Sequence, residues 1–448
     1  MKGFKKTIFL FLILVGLSVW YYFYEIKGGE KREKIKSIQK RVFLIPEDKV
    51  SFLGIYSGEK SIECGKEKDK WMIEKPEKLD GDKEEIENVI KTVIELEKER
   101  EIGEVENLNS FGLEKPVKKI VVGEDGKRYM VFIGDENPSG SYYYATSDRK
   151  KVFLISKWDV DDVLKKKVFD LRDKRIIPAE IEKEKIEKIE VKRKKLKFVC
   201  KREKERWNLV YPVSDWADET KVEDIVDEII DGKIKSFEKE KKSLTFYKLK
   251  KPEIEIKIEC SGKTYSLFIG KKQDGLYYAK NSLKPYIFSI DKSVVETLPE
   301  KLIDIRDRDV FKFNSSDVKE ITVERGKEKF TLLKEKEEWK VKEKKEKISS
   351  QKVEDFLDDL KFLEIEGFLK FSPEKLSQYN LSPPLVKITV KTEKEKEEIL
   401  FGKKTKDKLY SYNPERKIIF YIPASDSKII EKELKDFVEE KEESKESE

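Results

Sequence analysis

The chain has 448 residues, which is too long for one ordinary hydrophobic core and predicts two to four domains. An apolar fraction of 38% is enough to bury such cores and argues against wholesale disorder. The 98 basic and 92 acidic residues leave a net charge of only +6, so the composition offers no basic surface of the kind that nucleic acid requires.

The absence of histidine removes several kinds of active site. It excludes Ser-His and Cys-His nucleophile pairs, histidine-ligated zinc and a histidine general base, whereas carboxylate or lysine chemistry stays open. The three cysteines, Cys64, Cys200 and Cys260, lack C-x-x-C spacing, which argues against a disulfide framework and a structural zinc site. We expect small buried hydrophobic residues, with a Cys200–Cys260 bridge as the alternative.

The N-terminal region contains an uncharged stretch, Thr7–Tyr24, that follows a short tail with three lysines. A helix over its 18 residues would be about 27 Å long, just enough to cross a hydrocarbon core. Aromatic residues cluster at its C-terminal end, where they would lie at the lipid headgroups. No small-x-small cleavage site follows, so the pattern predicts an uncleaved signal-anchor, with a cleaved signal peptide as the alternative.

The sequence gives two opposing signals for the orientation of this anchor in the membrane. Five basic residues follow the stretch within 15 residues, and by count they favour a cytoplasmic body. Large domains translocate largely regardless of such charges, and a short basic tail before a first apolar helix is the usual export signal. We therefore predict a single-pass protein of the cell membrane with an extracytoplasmic body, in which residues 1–41 form a cytoplasmic tail, transmembrane anchor and linker.

Internal repetition is the strongest pattern in the chain. Trp71, Trp207 and Trp339 each end an apolar-alternating strand, at intervals of 136 and 132 residues. An aromatic-x-Leu-x-x-Pro motif begins forty residues after each tryptophan, and a glycine follows 23 residues later. The glycines are Gly134, Gly270 and Gly402, and the motifs begin at Phe111, Tyr247 and Tyr379. These spacings predict three tandem modules over residues 42–178, 179–312 and 313–438, followed by a disordered charged tail over 439–448.

Each module mixes strands and helices. The apolar periodicity predicts a helix after each tryptophan strand, and Asp82 with Glu85 forms a candidate capping box in the first copy. Glu124-Asp-Gly126 is a hairpin signal, and a Tyr-rich strand and another apolar strand follow. The predicted fold class is α+β: three tandem repeats of an antiparallel-sheet-plus-helices module behind one transmembrane helix.

The best polar motif is an Arg-Asp pair that closes the first two modules, Arg172-Asp173 and Arg306-Asp307. These side chains could hold a ligand phosphate or carboxylate, or they could form an ion-pair lock between one module and the next. Both pairs fall at a module's end, whereas the third copy has only Leu434-Lys-Asp436 there. That difference favours the lock.

Two further candidates are weaker. Asp135-Glu136-Asn137 has the oxygen ligands of a cation site, but the other copies have lysines at this position, so we predict a turn and no metal. Tyr143, Tyr144, Tyr277 and Tyr278 could form an aromatic surface for a glycan or peptide, although some must face the core. No catalytic residue or cofactor site is predicted, since no phosphate loop or nucleophile elbow occurs.

The tryptophan strand, the aromatic-x-Leu-x-x-Pro corner, the apolar–Gly pair, the Tyr-rich strand and the closing Phe169–Lys174 together resemble the domain-of-unknown-function 4340 family. The resemblance covers about residues 45 to 435. It implies an auxiliary component of an ABC-type transport system linked to gliding motility, and it brings no catalytic residues. We therefore predict a non-enzymatic, membrane-anchored binding or assembly subunit with a membrane-protein partner such as an ABC permease. The alternatives are a carboxylate-based enzyme acting on envelope polysaccharide and a structural stalk or adhesin.

Overall fold

The structure is a computed structural model that describes residues 11, 13–18, 20–22, 37–178, 181–204, 206–238, 242–336, 338–342 and 346–439. The chain divides into two compact units, Met1–Lys174 and Arg175–Glu448. The first unit contains one antiparallel sheet and the second contains two, each accompanied by helices. The predicted α+β class is confirmed, with a predominance of sheet.

The N-terminal prediction concerns residues that are only partly described. Among the described residues, no helix is long and apolar enough to cross a membrane. The predicted span Thr7–Tyr24 lies partly outside the described residues. The lysine-containing tail before it and residues 440–448 of the charged tail lie wholly outside them.

The first sheet has nine strands: β1 Phe52–Ser57, β2 Lys60–Glu67, β3 Lys70–Lys75, β4 Leu79–Asp80, β5 Arg100–Glu104, β6 Lys118–Glu124, β7 Lys127–Glu136, β8 Tyr142–Thr146 and β9 Lys151–Ser156. Its helices are α1 Lys83–Glu95, α2 Lys157–Lys165 and α3 Val168–Leu171. The strand order is β4-β3-β2-β1-β6-β7-β8-β9-β5. β6 and β7 are joined by a two-residue turn at Asp125-Gly126, both with positive φ, as the hairpin signal predicted.

The second sheet has the same strand order, β13-β12-β11-β10-β15-β16-β17-β18-β14. Its strands are β10 Ile186–Arg193, β11 Leu196–Glu203, β12 Arg206–Tyr211, β13 Asp215–Trp216, β14 Ser236–Phe237, β15 Ile254–Cys260, β16 Lys263–Gln273, β17 Leu276–Asn281 and β18 Phe288–Ile290. Its helices are α4 Glu219–Ile230 and α5 Ser293–Glu296.

The third sheet has eight strands in the corresponding order, β21-β20-β19-β23-β24-β25-β26-β22. Its strands are β19 Val318–Arg325, β20 Glu328–Glu335, β21 Glu338–Val341, β22 Gly367–Leu369, β23 Val386–Thr392, β24 Lys396–Lys404, β25 Lys408–Asn413 and β26 Ile418–Pro423. Its helices are α6 Ser350–Lys361, α7 Pro373–Gln378 and α8 Lys428–Glu431. An isolated bridge between Lys340 and Lys347 takes the place of the short strand after β21.

A long helix packs its apolar stripe against the sheet in each copy, and these stripes form the cores with the inward-facing strand residues. The helix N-caps are Asp82, Asp218 and Ser349, whose side chains accept the backbone N–H three residues on. The predicted capping box at Asp82 and Glu85 is only half formed, because the Asp82 N–H donates to the Leu171 carbonyl oxygen (2.8 Å) instead.

The short helical turn that ends each copy supplies this carbonyl. We call it the closing turn, and it comprises Val168–Leu171, Leu302–Ile305 and Leu434–Phe437. Besides Leu171, the carbonyl oxygens of Ile305 and Phe437 accept from Asp218 (3.0 Å) and Ser349 (2.9 Å). An aspartate in each closing turn in turn accepts from the backbone N–H three residues before it: Asp170 from Lys167, Asp304 from Lys301 and Asp436 from Glu433. The three turns therefore share one main-chain framework.

The repeated glycines are required by close packing. Gly134, Gly270 and Gly402 each lie at a register shift between two strands, beside the corner motif. A Cβ at any of them would collide with a backbone carbonyl oxygen, that of Phe111, Tyr247 or Tyr379 respectively. None of the three has a positive φ, so the constraint is space and not backbone conformation.

The three landmark tryptophans are equally buried, each 2% exposed, but their indole N–H groups differ. Trp71 and Trp207 donate to Glu87 (3.2 Å) and Glu223 (2.7 Å) on the long helix. The Trp339 Nε1 atom is buried and has no hydrogen-bond partner in the described part of the chain. The third copy thus keeps the packing position and loses the polar contact.

Candidate functional site

Arg306 and Asp307 lie at the end of the second sheet, in a buried network that includes the third sheet. At its centre is Asp215 on β13, whose side chain is fully buried. Arg306 Nε donates to Asp215 Oδ2 (2.8 Å), and its guanidinium carbon lies 3.3 Å from the ring centroid of Phe368 on β22. Burial lowers the pKa of the Arg306 guanidinium, although Asp215 opposes this shift.

Arg416, from the turn between β25 and β26, completes the network. Its Nε and Nη2 atoms donate to the two carboxylate oxygens of Asp215 at 2.9 and 3.1 Å, a bidentate pair. The same guanidinium donates to the carbonyl oxygens of Asp307 (2.8 Å) and Asp309 (3.2 Å). The Arg416 side chain is only 1% exposed, so this turn is inserted into the end of the second sheet.

Asp307 stabilises the connection that leads into the third sheet. Its Oδ1 accepts from the backbone N–H of Asp309 (2.9 Å), and its Oδ2 pairs with Lys312 Nζ (2.7 Å). Lys312 N in turn donates to Glu397 Oε2 (2.7 Å) on β24, and burial raises the pKa of the Glu397 carboxyl. These contacts place Arg306 and Asp307 in a mostly buried joint between two sheets of the same unit.

Arg172 and Asp173 occupy the corresponding place in the first unit. Arg172 forms a bridge with Gly81, as Arg306 does with Ala217, and the Asp173 N–H donates to the Asp80 carbonyl oxygen (2.9 Å). Both side chains are mostly buried, and neither is without an interaction partner. The position of Asp215 is taken here by a buried leucine, Leu79, so the central carboxylate is absent.

The third copy carries a different set at these positions. The bridge between Ile348 and Val438 corresponds to that between Ala217 and Arg306, so an apolar residue replaces the arginine. Glu439 follows it, and its carboxylate pairs with Lys347 (2.6 Å). Glu346 occupies the position of Asp215 but is exposed. The third closing turn thus retains the backbone framework without the buried ion pairs.

The four tyrosines considered as an aromatic surface contact residues of their own sheets. Tyr143 is 4% exposed, and its hydroxyl donates to Asp161 (2.9 Å). Tyr144 packs edge-to-face on Phe111 (4.9 Å between ring centroids). Tyr278 does the same on the corner aromatic of the second sheet at 4.8 Å, and Lys272 lies over the half-buried ring of Tyr277.

An aromatic cluster that the sequence analysis did not identify lies on the third sheet. It consists of Phe371, Tyr379, Tyr410, Tyr412 and Tyr421, and we call it the third-sheet aromatic cluster. Tyr379 stacks on Tyr410 (4.2 Å between centroids), which lies 6.2 Å from Tyr421, and Phe371 stacks on Tyr412 at 5.8 Å. The alternating Tyr-x-Tyr pattern of β25 was the available signal, since it places both rings on one face.

The three cysteines are free and buried, which confirms the prediction that they act as small buried hydrophobic residues. The alternative bridge between Cys200 and Cys260 is wrong, because β10 separates their strands and pairs with them at Ile189 and Ile186. Strands two places apart in a sheet lie about 9–10 Å from each other, too far for a disulfide. Burial raises the pKa of Cys64 and Cys200 to about 12, so neither is a reactive thiolate.

No group of three or more Cys, Asp or Glu side chains suited to a metal ion occurs among the described residues. Asp135, Glu136 and Asn137, the rejected cation loop, lie at the end of β7 and in the turn after it. There Glu136 pairs with Lys157 (2.7 Å), and the Asn137 side chain accepts backbone N–H groups of its own turn. These contacts describe a structured turn.

Tandem antiparallel sheets with one strand order, two of them joined by buried ion pairs, define an α+β protein built from repeated domains. The chain matches the profile of the family described as Domain of unknown function (DUF4340) over residues 71–217 and 207–384, and it belongs to that family. It matches no curated protein and no solved structure.

Proposed function

We propose that the chain is a membrane-tethered, extracytoplasmic subunit that binds and assembles partner proteins without catalysing a reaction. The observation that carries this proposal is the joint around Asp215. The Arg-Asp motif, the best polar candidate of the sequence, attaches one sheet domain to another in the second unit. A domain that packs against another through charged residues at the end of its sheet suits an assembly role. Arrays of repeated units also commonly act as binding surfaces.

The proposed partner is a membrane protein such as an ABC-type permease. The uncharged stretch Thr7–Tyr24 supports a tether, which would hold the body beside such a partner and raise its effective concentration there. The partner's identity in this proposal derives from the family resemblance.

Co-purification tests the binding role. The full chain, tagged at its C-terminus, is cross-linked in cells and recovered from detergent-solubilised membranes, with an unrelated single-pass protein carrying the same tag as control. We expect one membrane protein to be enriched with the chain in comparable amount and to be absent from the control. Repeated recovery of the chain alone contradicts the proposal.

Cysteine labelling tests the location of the body. Because Cys64, Cys200 and Cys260 are buried, a cysteine introduced at the exposed Ser316 becomes the one accessible thiol of the described residues. Ser316→Cys is expected to react with a membrane-impermeant maleimide in intact cells, while the parent chain does not. Reaction only after the membrane is permeabilised reverses the proposed orientation.

A further inference from the structure

The fold of the third sheet holds the third-sheet aromatic cluster on the face opposite the long helix α6. On β25, Leu409 and Ser411 are buried in the core, so the alternating Tyr410 and Tyr412 face outward. Tyr421 lies opposite Tyr410 in the register of β25 and β26. Its ring covers Gly367 on β22, where a Cβ would collide with the Tyr421 hydroxyl. The glycine on β22 therefore leaves room for the Tyr421 ring.

The tyrosine hydroxyls of this cluster differ from two buried tyrosine hydroxyls of the other sheets, those of Tyr143 and Tyr247. In the first sheet the Tyr143 hydroxyl donates to Asp161, and in the second the Tyr247 hydroxyl donates to Glu238 (3.3 Å). In the third sheet all four tyrosines are half-buried, and none of their hydroxyls has a hydrogen-bond partner among the described residues. In the described part of the chain, these four hydroxyls thus make no hydrogen bond to protein that would compete with a ligand.

A lysine-rich segment lies beside the cluster. The segment from Gly402 to Lys408, which joins β24 to β25, contains four lysines and one aspartate. Lys408 Nζ lies 3.9 Å from the ring centroid of Tyr421, and the Lys403 N–H donates to the carbonyl oxygen of Tyr379 (2.6 Å). The corresponding segment of the second sheet also contains lysines, Lys271 and Lys272, whereas that of the first sheet carries Asp135 and Glu136.

We propose that the third-sheet aromatic cluster binds an extended, proline-rich segment with acidic flanking residues on a partner protein. Half-buried aromatic rings in a row suit the polyproline II helix, whose pyrrolidine rings pack on them and whose order is already present before binding. Such a segment exposes carbonyl oxygens and few N–H groups, which matches a surface that offers hydroxyl and ammonium donors. The lysine-rich segment beside the rings supplies the complement to acidic flanks.

A glycan is the other ligand that aromatic rings commonly stack against, and the cluster suits it less. Sugar hydroxyls are donors as well as acceptors, and a site for them usually adds carboxylate or amide side chains. The side chains of the cluster and Lys408 contribute hydroxyls and one ammonium, with no carboxylate. The inference rests on the proposed binding role and specifies the chemistry of one partner.

The probe is a synthetic peptide with a run of prolines between two pairs of glutamates, titrated into the detergent-solubilised full chain at low ionic strength. We expect saturable binding that Tyr410→Phe weakens about three- to tenfold, because one hydroxyl donor is lost. Lys408→Gln should weaken binding and reduce its salt dependence. Tyr278→Phe, at the same position of the second sheet, is the matched control and should leave the dissociation constant unchanged.

Three results overturn the inference: no binding of the peptide, equal binding of a peptide with glycine and serine in place of proline, or binding that Tyr410→Phe and Lys408→Gln leave unchanged. Binding of chitooligosaccharide with no binding of the peptide also overturns it, in favour of a glycan. The proposed function is judged separately, because co-purification of a membrane partner can succeed even where the peptide fails to bind.

Discussion

The ends of the second and third sheets have the same main-chain hydrogen bonds, but their charged side chains differ. Both closing turns deliver a carbonyl oxygen to the N-cap of the long helix, from Ile305 and Phe437. At the second end Asp215 is fully buried between two guanidiniums, whereas at the third end Glu346 is exposed at the same position. Val438 also replaces Arg306.

This difference separates two roles that the repeat combines. The main-chain contacts of the closing turn belong to the folding of each copy, because they occur whatever the side chains are. The charged side chains depend on what packs against the end, since only the second sheet has the Arg416 turn inserted there within its unit. A substitution that acts on the joint should therefore have no counterpart at the third end.

The largest effect is expected for Asp215→Asn. It leaves the guanidiniums of Arg306 and Arg416 buried without a carboxylate, and such uncompensated charge typically costs about 3–5 kcal/mol of the free energy of unfolding. Glu346→Gln is the matched control, with an expected change within about 0.5 kcal/mol because that side chain is exposed. Both are measured by chemical denaturation of the full chain. Equal effects at the two positions would mean that the joint is not held by charge.

The repeated glycines that pack beside the corner motif should have similar effects on stability when substituted in any of the three copies. Gly134→Ala, Gly270→Ala and Gly402→Ala each force a Cβ against a carbonyl oxygen, and overpacking of this kind costs about 1–3 kcal/mol. Gly54→Ala is the control, because the atoms nearest to its Cβ would be side-chain atoms of Tyr56 and Phe52, which can move. Thermal unfolding of the four variants measures this. A large cost in one copy alone would show that the corner does not have the same structure in each.

The sequence was most informative where the contacts are local or repeated. Alternation of apolar residues predicted the strands around Trp71, Trp207 and Trp339, and helical spacing predicted the long helices. The spacing also identified the glycines, although the reason for them, a carbonyl oxygen from the corner, required coordinates. Short edge strands such as β4 and β13 were not predicted, because two residues carry no periodicity.

The joint could be predicted only in part. Arg306 and Asp307 were recognisable as a motif at a module's end, but their central partner was not. Asp215 and Arg416 are 201 residues apart, and no spacing or motif connects them. The aromatic cluster was overlooked for a related reason: Phe371 and Tyr412 come together only because β22 pairs with β26 at the edge of the sheet.

The tryptophans allow a finer comparison of the second and third copies. Trp207→Phe removes a hydrogen bond to the Glu223 carboxylate, whereas Trp339→Phe removes a buried N–H that has no partner in the described residues. Both lose similar ring volume, so we expect Trp339→Phe to be less destabilising by about 1–2 kcal/mol. Denaturant midpoints of the two variants measure the difference. An equal loss would imply that the Trp339 indole has a partner that satisfies it.

The smallest predicted effect concerns a carboxyl group beside the joint. Burial raises the pKa of Glu397, so its charged form is disfavoured in the folded state. A raised pKa contributes stability below the unfolded-state value, near 4.5, and this contribution is lost as the pH rises through the folded pKa. Glu397→Gln keeps an acceptor for the Lys312 N–H and removes the charge, and it should raise the free energy of unfolding at pH 7 by less than about 1 kcal/mol.

The pH dependence distinguishes this cause from a general improvement in packing. The stabilisation by Glu397→Gln should diminish as the pH falls through the raised folded pKa and should be lost below about 4.5, where the parent carboxyl is protonated in both states. Glu335→Gln is the contrasting control, since a hydrogen bond from Lys340 lowers the pKa of that exposed carboxyl. Its contribution has the opposite sign, present above the unfolded-state value and lost as the pH falls through the folded one. A gain at Glu397 that is independent of pH would show that desolvation of its charge is not the cause.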